Sequence, residues 1–196
     1  MTYDQVGAKV VAEVAGWVQT LGVPFIVVGG SAIARRYQVR TNEVDFLVLV
    51  GGWNSLDAAV EKDGRATALE PDTGSIRGTT VTLGARRIFV EFISGEVARG
   101  TRSADEYVAY VRSRWSRDVN GIRYAEPAVV FYMRLAGDEW ADYVQAFHRD
   151  LGAGVPADTF DRAIRIARHL GVEEKIRGRV RTIRTDLLRL FGPRRE

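Results

Sequence analysis

Apolar residues recur at helical spacing from the start of the chain. Val6, Val10, Val14, Trp17, Val18 and Leu21 form one stripe, which predicts a helix over 2–21 opened by a Thr2–Gln5 capping box and stopped by Gly22 and Pro24. The pattern then changes. Phe25-Ile26-Val27-Val28 is a short, wholly apolar, β-branched run suited to a buried strand, and Gly29-Gly30 ends it where a helix through Tyr37 begins. A second buried strand is expected over 44–50, then a short helix from Ser55 to Lys62. Two runs, 79–83 and 88–93, flank a Gly84-Ala85 turn and predict antiparallel strands within a β region over 65–93.

Ser103 followed by Asp105 and Glu106 suggests a capped helix over 103–117, and 119–124 reads as a strand passing through a turn at Asn120-Gly121. From Pro127 onward the period is helical, over about 127–136, 138–151, 157–170 and 172–191. The layout is α+β for about 125 residues and then a helical bundle, giving an expected division into 1–125 and 126–196.

Composition narrows the chemistry. The 196 residues are 46% apolar and 27% charged, as expected of a folded chain. The absence of cysteine excludes disulfides, thiolate metal sites and cysteine nucleophiles, and two histidines (His148, His169) are too few for a histidine-rich metal centre. No apolar run approaches the ~20 residues of a membrane helix, and the first residues lack a basic-then-apolar leader, so a cytoplasmic protein is expected. The net charge of +3 is unevenly spread. Residues 175–195 hold eight Lys/Arg against Asp186, a local +7 that leaves about −4 elsewhere. Such a tail is either a polyanion-binding surface or a solvated helix face.

Three acids interrupt segments that otherwise want burial. Glu43 and Asp45, two apart on one strand, point to the same face, and Glu91 stands alone in Phe89-Val90-Glu91-Phe92-Ile93. A carboxylate buried without a partner is costly, so these need cations or donors nearby. Arg40, Arg86 or Arg87 could supply them at the sheet edge; alternatively, the three acids converge as a hard-oxygen site for Mg²⁺ or Mn²⁺. Gly29-Gly30-Ser31 precedes the acid pair by 12 residues. Glycines allow close backbone approach, a helix N-terminus favours anions, and the Ser31 hydroxyl can donate to a phosphate. A phosphate cradle beside a carboxylate metal site is what nucleotidyl transfer requires.

Phe25-Ile-Val-Val-Gly-Gly-Ser-Ala-Ile-Ala-Arg-Arg-Tyr followed by Arg40-Thr41-Asn42-Glu43-Val44-Asp45-Phe46-Leu47-Val48 resembles the minimal, polymerase-β-like nucleotidyltransferase superfamily. Within it the likeness is strongest to toxin nucleotidyltransferases of the AbiEii/MenT type. The resemblance spans about residues 22–145. It implies a nucleotidyltransferase fold in which Gly29, Gly30 and Ser31 hold the triphosphate. It also makes Glu43, Asp45 and Glu91 the metal ligands, with Glu91 the third acid, as ligand or general base. The segment from Tyr124 to Ala136 resembles the approach to the family's lysine helix, so Arg134 takes the lysine's place, and Asp138 or Asp142 would match a later acid.

Two departures stand out: Glu43 where the family has aspartate, and Arg134 for lysine. The implied activity is transfer of a nucleoside monophosphate from an NTP to an acceptor hydroxyl. The basic tail points to RNA such as tRNA, with an antitoxin as possible partner. The alternatives are a small acceptor of the aminoglycoside type, for which Asp138, Glu139 and Asp142 supply acids, and a weakly active or inactive nucleotide- or RNA-binding relative. His148-Arg149-Asp150 echoes a kinase tripeptide but lacks that family's other parts, so it reads as a helix end.

Overall fold

A computed structural model describes residues 6–39, 41–49, 53–73 and 75–191. Among the described residues, seven strands form one sheet: β1 (Phe25–Val27), β2 (Glu43–Val48), β3 (Glu70–Thr73), β4 (Ile76–Leu83), β5 (Arg86–Ser94), β6 (Ser116–Val119) and β7 (Ile122–Ala125). Their spatial order is β3-β4-β5-β2-β1-β7-β6. Local chemistry makes the edges: β3, β4 and β5 run as an antiparallel meander, and β6 and β7 close a hairpin over Asn120-Gly121, both at positive φ. In the centre β1 pairs antiparallel with β2, while β2–β5 and β1–β7 are parallel and need crossovers.

Eight α-helices among the described residues flank the sheet: α1 (Ala8–Thr20), α2 (Gly29–Tyr37), α3 (Trp53–Asp63), α4 (Ala104–Arg114), α5 (Pro127–Ala136), α6 (Val144–Gly152), α7 (Thr159–His169) and α8 (Glu173–Phe191). The Thr2–Gln5 cap expected for the first helix lies outside the described residues. The Ser103 capping box is present in full, its hydroxyl accepting from the Glu106 amide while the Glu106 carboxylate accepts from the Ser103 amide. The third helix begins two residues before Ser55, so that serine sits in the first turn rather than at the cap. The segment expected as one helix over 138–151 is split into a 3-10 turn over Trp140–Tyr143 and then α6, with no side chain capping either start. None of the helices is long and apolar enough to cross a membrane among the described residues.

Strand alternation divides the core into two faces. Val27, Val44, Phe46, Val48, Val90 and Phe92 point to α1 and α3, with Val14, Trp17 and Leu56 opposite them. Ile26, Leu47 and Ile93 point the other way and join Phe131, Phe147, Phe160, Ile176 and Ile183 of the later helices. This second face also carries Asp45, which precedes Leu47 by two, and Glu91, which precedes Ile93 by two. The bundle therefore packs on the face that carries the acids.

Candidate functional site

Register brings the acids together. In the parallel β2–β5 pair, Asp45 stands directly opposite Glu91 and Glu43 lies one pleat away. Carboxylate oxygens of Glu43, Asp45 and Glu91 all lie within 4.8 Å of one another. Asp45 is buried at 5% exposure, whereas Glu43 and Glu91 are half-buried. Burial, then the charges of Glu43 and Glu91, push the Asp45 carboxyl well above the usual carboxylate range, and Arg134 opposes them. Burial also raises Glu43. Charge crowding of this kind is relieved by a bound cation.

The turn before α2 is shaped around Asp45. Gly29 has φ +58°, and a Cβ there would fall 1.8 Å from Asp45 Oδ2. The backbone at Gly29 is thus pressed against the carboxylate, and only glycine fits. A Cβ at Gly30 would meet Thr41 at 3.2 Å. Val28, at the N-cap of α2, offers no side-chain acceptor to the first-turn amides, which have no intrahelical partner. Ser31 is placed differently from expectation. It is fully buried, and its hydroxyl donates to the Glu43 carbonyl at 2.9 Å, tying α2 to β2. Thr41 donates to the same carbonyl at 3.1 Å. A serine in the first turn sends its side chain back along the helix, and here that direction meets the neighbouring strand rather than the cleft.

Above the acids lies a cleft of about 580 Å³, lined by Gly29, Gly30, Glu43, Asp45 and Glu91 on the sheet side. Arg134, Gly137, Asp138, Glu139 and Tyr143 line its other wall. Arg134 is 11% exposed and ion-paired with the wholly buried Asp150, which Arg149 also contacts at 3.1 Å. The guanidinium lies over the rings of Tyr143 (5.6 Å) and Phe147 (5.8 Å). Arg86 is not the acids' counter-ion, since it pairs with Glu13. Arg40 falls outside the described residues.

Two working residues escaped sequence reading. Asp150 looked like part of a helix end, although its place three after Phe147 puts it on the apolar face of α6. Arg179 was counted with the basic tail. In the fold its Nη1 donates to the Leu135, Ala136 and Gly137 carbonyls at 2.6, 3.1 and 2.8 Å, capping the end of α5 that forms the cleft wall. The rest of that tail is largely committed as well. Arg177 bonds Glu173 at 2.5 Å, Arg184 bonds Asp161 at 2.9 Å, and Arg189 lies 4.0 Å from Asp186. Of the tail cations among the described residues, only Lys175 and Arg181 lack such a partner.

The donor set suits a hard divalent cation: three carboxylates, no imidazole and no sulfur, open on one side to a cleft large enough for a further ligand. No family model matches the chain, and no curated protein matches it. Among solved structures, that of ANT(2'')-Ia in complex with adenylyl-2''-tobramycin is similar at a TM-score of 0.41 and 15% identity, covering 91% of this chain and 97% of that one.

Proposed function

We propose that the chain is a Mg²⁺-dependent nucleotidyltransferase, with residues 1–125 as its catalytic part and 126–196 closing the cleft. The observation that carries this is the junction of Gly29 with the acid triad: a helix-start backbone held against Asp45 by a contact only glycine permits. Anionic phosphates favour the free amides at the start of α2. Glu43, Asp45 and Glu91 would hold the metal, which when bound neutralises phosphate charge and lowers the pKa of the attacking hydroxyl. In the transfer, an acceptor oxygen bonds to the α-phosphorus and the bond to the β-phosphate oxygen breaks, releasing pyrophosphate. The acceptor proton leaves to the Glu91 carboxylate or to water. Arg134, fixed by Asp150, keeps one positive charge beside the triad and so favours its ionised form.

The cleft favours a small, cationic, hydroxyl-bearing acceptor. Asp138 and Glu139 stand on the wall across from the triad and attract such a molecule, while they repel RNA phosphates. RNA is the second reading, supported by Lys175 and Arg181 on α8. Incubation of each α-labelled NTP with Mg²⁺ and two acceptor pools, total tRNA and a set of aminated sugars, tests both. Label in aminated sugars that disappears with Asp45→Ala supports the first reading, and label in tRNA supports the second. No transfer to either pool, at high enzyme concentration, would argue against transferase activity.

A further inference from the structure

A second cavity, of about 310 Å³, lies at the far ends of the helices that build the cleft. α2 starts at the cleft with Gly29 and ends at this cavity with Arg35, Arg36 and Tyr37. α5 runs the opposite way, from Pro127 at the cavity to Arg134 at the cleft. At ~1.5 Å of rise per residue, the two sites are about 10 Å apart along either helix. Three guanidiniums face this space. Those of Arg35 and Arg36 have no carboxylate partner among the described residues: Arg35 lies beside Tyr124 and acts on its hydroxyl, and Arg36 lies over the Tyr37 ring at 5.4 Å. Arg117 arrives from β6 and reaches Glu126 only at 4.0 Å, a carboxylate already ion-paired with Arg162.

The C-terminal end of α2 accounts for cations at 35 and 36, since the helix dipole is negative there. It does not account for Arg117, which comes from another element to the same cavity. Convergence of planar, fork-shaped donors selects a multivalent oxyanion such as phosphate. The remaining wall is mostly apolar, with the rings of Tyr37, Tyr124 and Pro127, and includes Glu126, whose carboxylate is neutralised by its ion pair with Arg162. The volume lies at the small end of ligand pockets, near that of a mononucleotide. We infer that this cavity is a second, metal-independent binding site for a nucleotide phosphate, with the phosphate on the Arg36–Arg117 side and the base against the tyrosines.

Calorimetric titration with adenosine 5′-monophosphate in EDTA tests this without any turnover, so its outcome stands apart from the activity proposed for the cleft. Saturable binding is expected in the wild type and, within about twofold, in Asp45→Asn; Arg36→Glu combined with Arg117→Glu should weaken it by ~10-fold or more. Both arginines are exposed, so an unchanged melting temperature checks that the variant folds. Absence of binding, its loss in Asp45→Asn, or its survival in the charge-reversed variant would overturn the site. Equal affinity for inorganic phosphate would overturn the role of the aromatic wall. A 5′-phosphorylated pentaribonucleotide separates the two sources. Affinity well above that of the monophosphate supports a nucleic-acid end as the ligand, and equal affinity supports a free nucleotide.

Discussion

Replacing Gly29 by alanine tests the close contact at the centre of the site. The added Cβ would lie 1.8 Å from Asp45 Oδ2, where real Cβ contacts essentially never fall below 3.0 Å. Either the carboxylate or the turn must therefore retreat by at least 1.2 Å. Asp45 is buried, and its escape toward Glu43 or Glu91 increases like-charge repulsion. A ligand displaced by that distance is worse than a lost outer partner, which alone costs ~10–100-fold in metal affinity. The backbone conformation adds a cost of about 1–2 kcal/mol for a non-glycine residue at positive φ. Gly22→Ala isolates this second effect, because Gly22 has φ +74° and nothing within 4 Å of its added Cβ.

Thermal unfolding with and without Mg²⁺ separates the two. At a Mg²⁺ concentration 100 times the wild-type Kd, binding adds about 2.7 kcal/mol, or roughly 5–11 °C for a chain of this size. A Kd raised 10- to 100-fold reduces the gain to about 1.4–0.4 kcal/mol. Both variants should melt lower without metal, but only Gly29→Ala should lose about half or more of the Mg²⁺ shift. An equal Mg²⁺ shift in the two variants would refute the placement of Asp45 as a ligand held by that turn.

Other expectations follow from the same geometry. Because burial raises the Asp45 pKa, the folded state holds a proton that the unfolded chain releases near pH 4. In EDTA, its contribution to stability is full below that point and falls as pH rises to the folded-state pKa. The difference in urea midpoint between wild type and Asp45→Asn should follow that slope, and a pH-independent difference would contradict it. Removing the buried carboxylate in Asp150→Ala leaves Arg134 without its partner, and about 3–5 kcal/mol of stability should be lost by urea denaturation. Arg179→Met abolishes the three-carbonyl cap on α5, with an expected loss of about 1.5–3 kcal/mol in the same assay; a loss below ~0.5 kcal/mol would mean that water replaces the cap.

Spacing made the acid-and-glycine half of the candidate site legible. The i, i+2 placement of Glu43 and Asp45 fixes a shared strand face whatever the register, and Gly29-Gly30 marks a change of backbone direction. Joining Glu91 to them needed the parallel β2–β5 pairing, which no local pattern specifies. Ser31 shows the limit at finer scale, because its hydroxyl direction depends on which strand lies beside α2. The tail shows it most clearly. A run of arginines looks the same whether it faces solvent or partners, and here Arg179 and Arg184 tie α8 to α5 and α7 while Arg177 pairs with Glu173 within α8. The helical bundle itself was clear from period alone, apart from the 3-10 turn at Trp140–Tyr143 that brings Tyr143 to the cleft.

The most direct test of the central claim is anomalous diffraction from crystals grown with Mn²⁺ and an NTP analogue resistant to cleavage at the α–β bridge. Manganese bound by Glu43, Asp45 and Glu91, with the triphosphate against Gly29-Gly30, is the expected result. Manganese elsewhere, or a triad still bare at saturating ion and analogue, would contradict it.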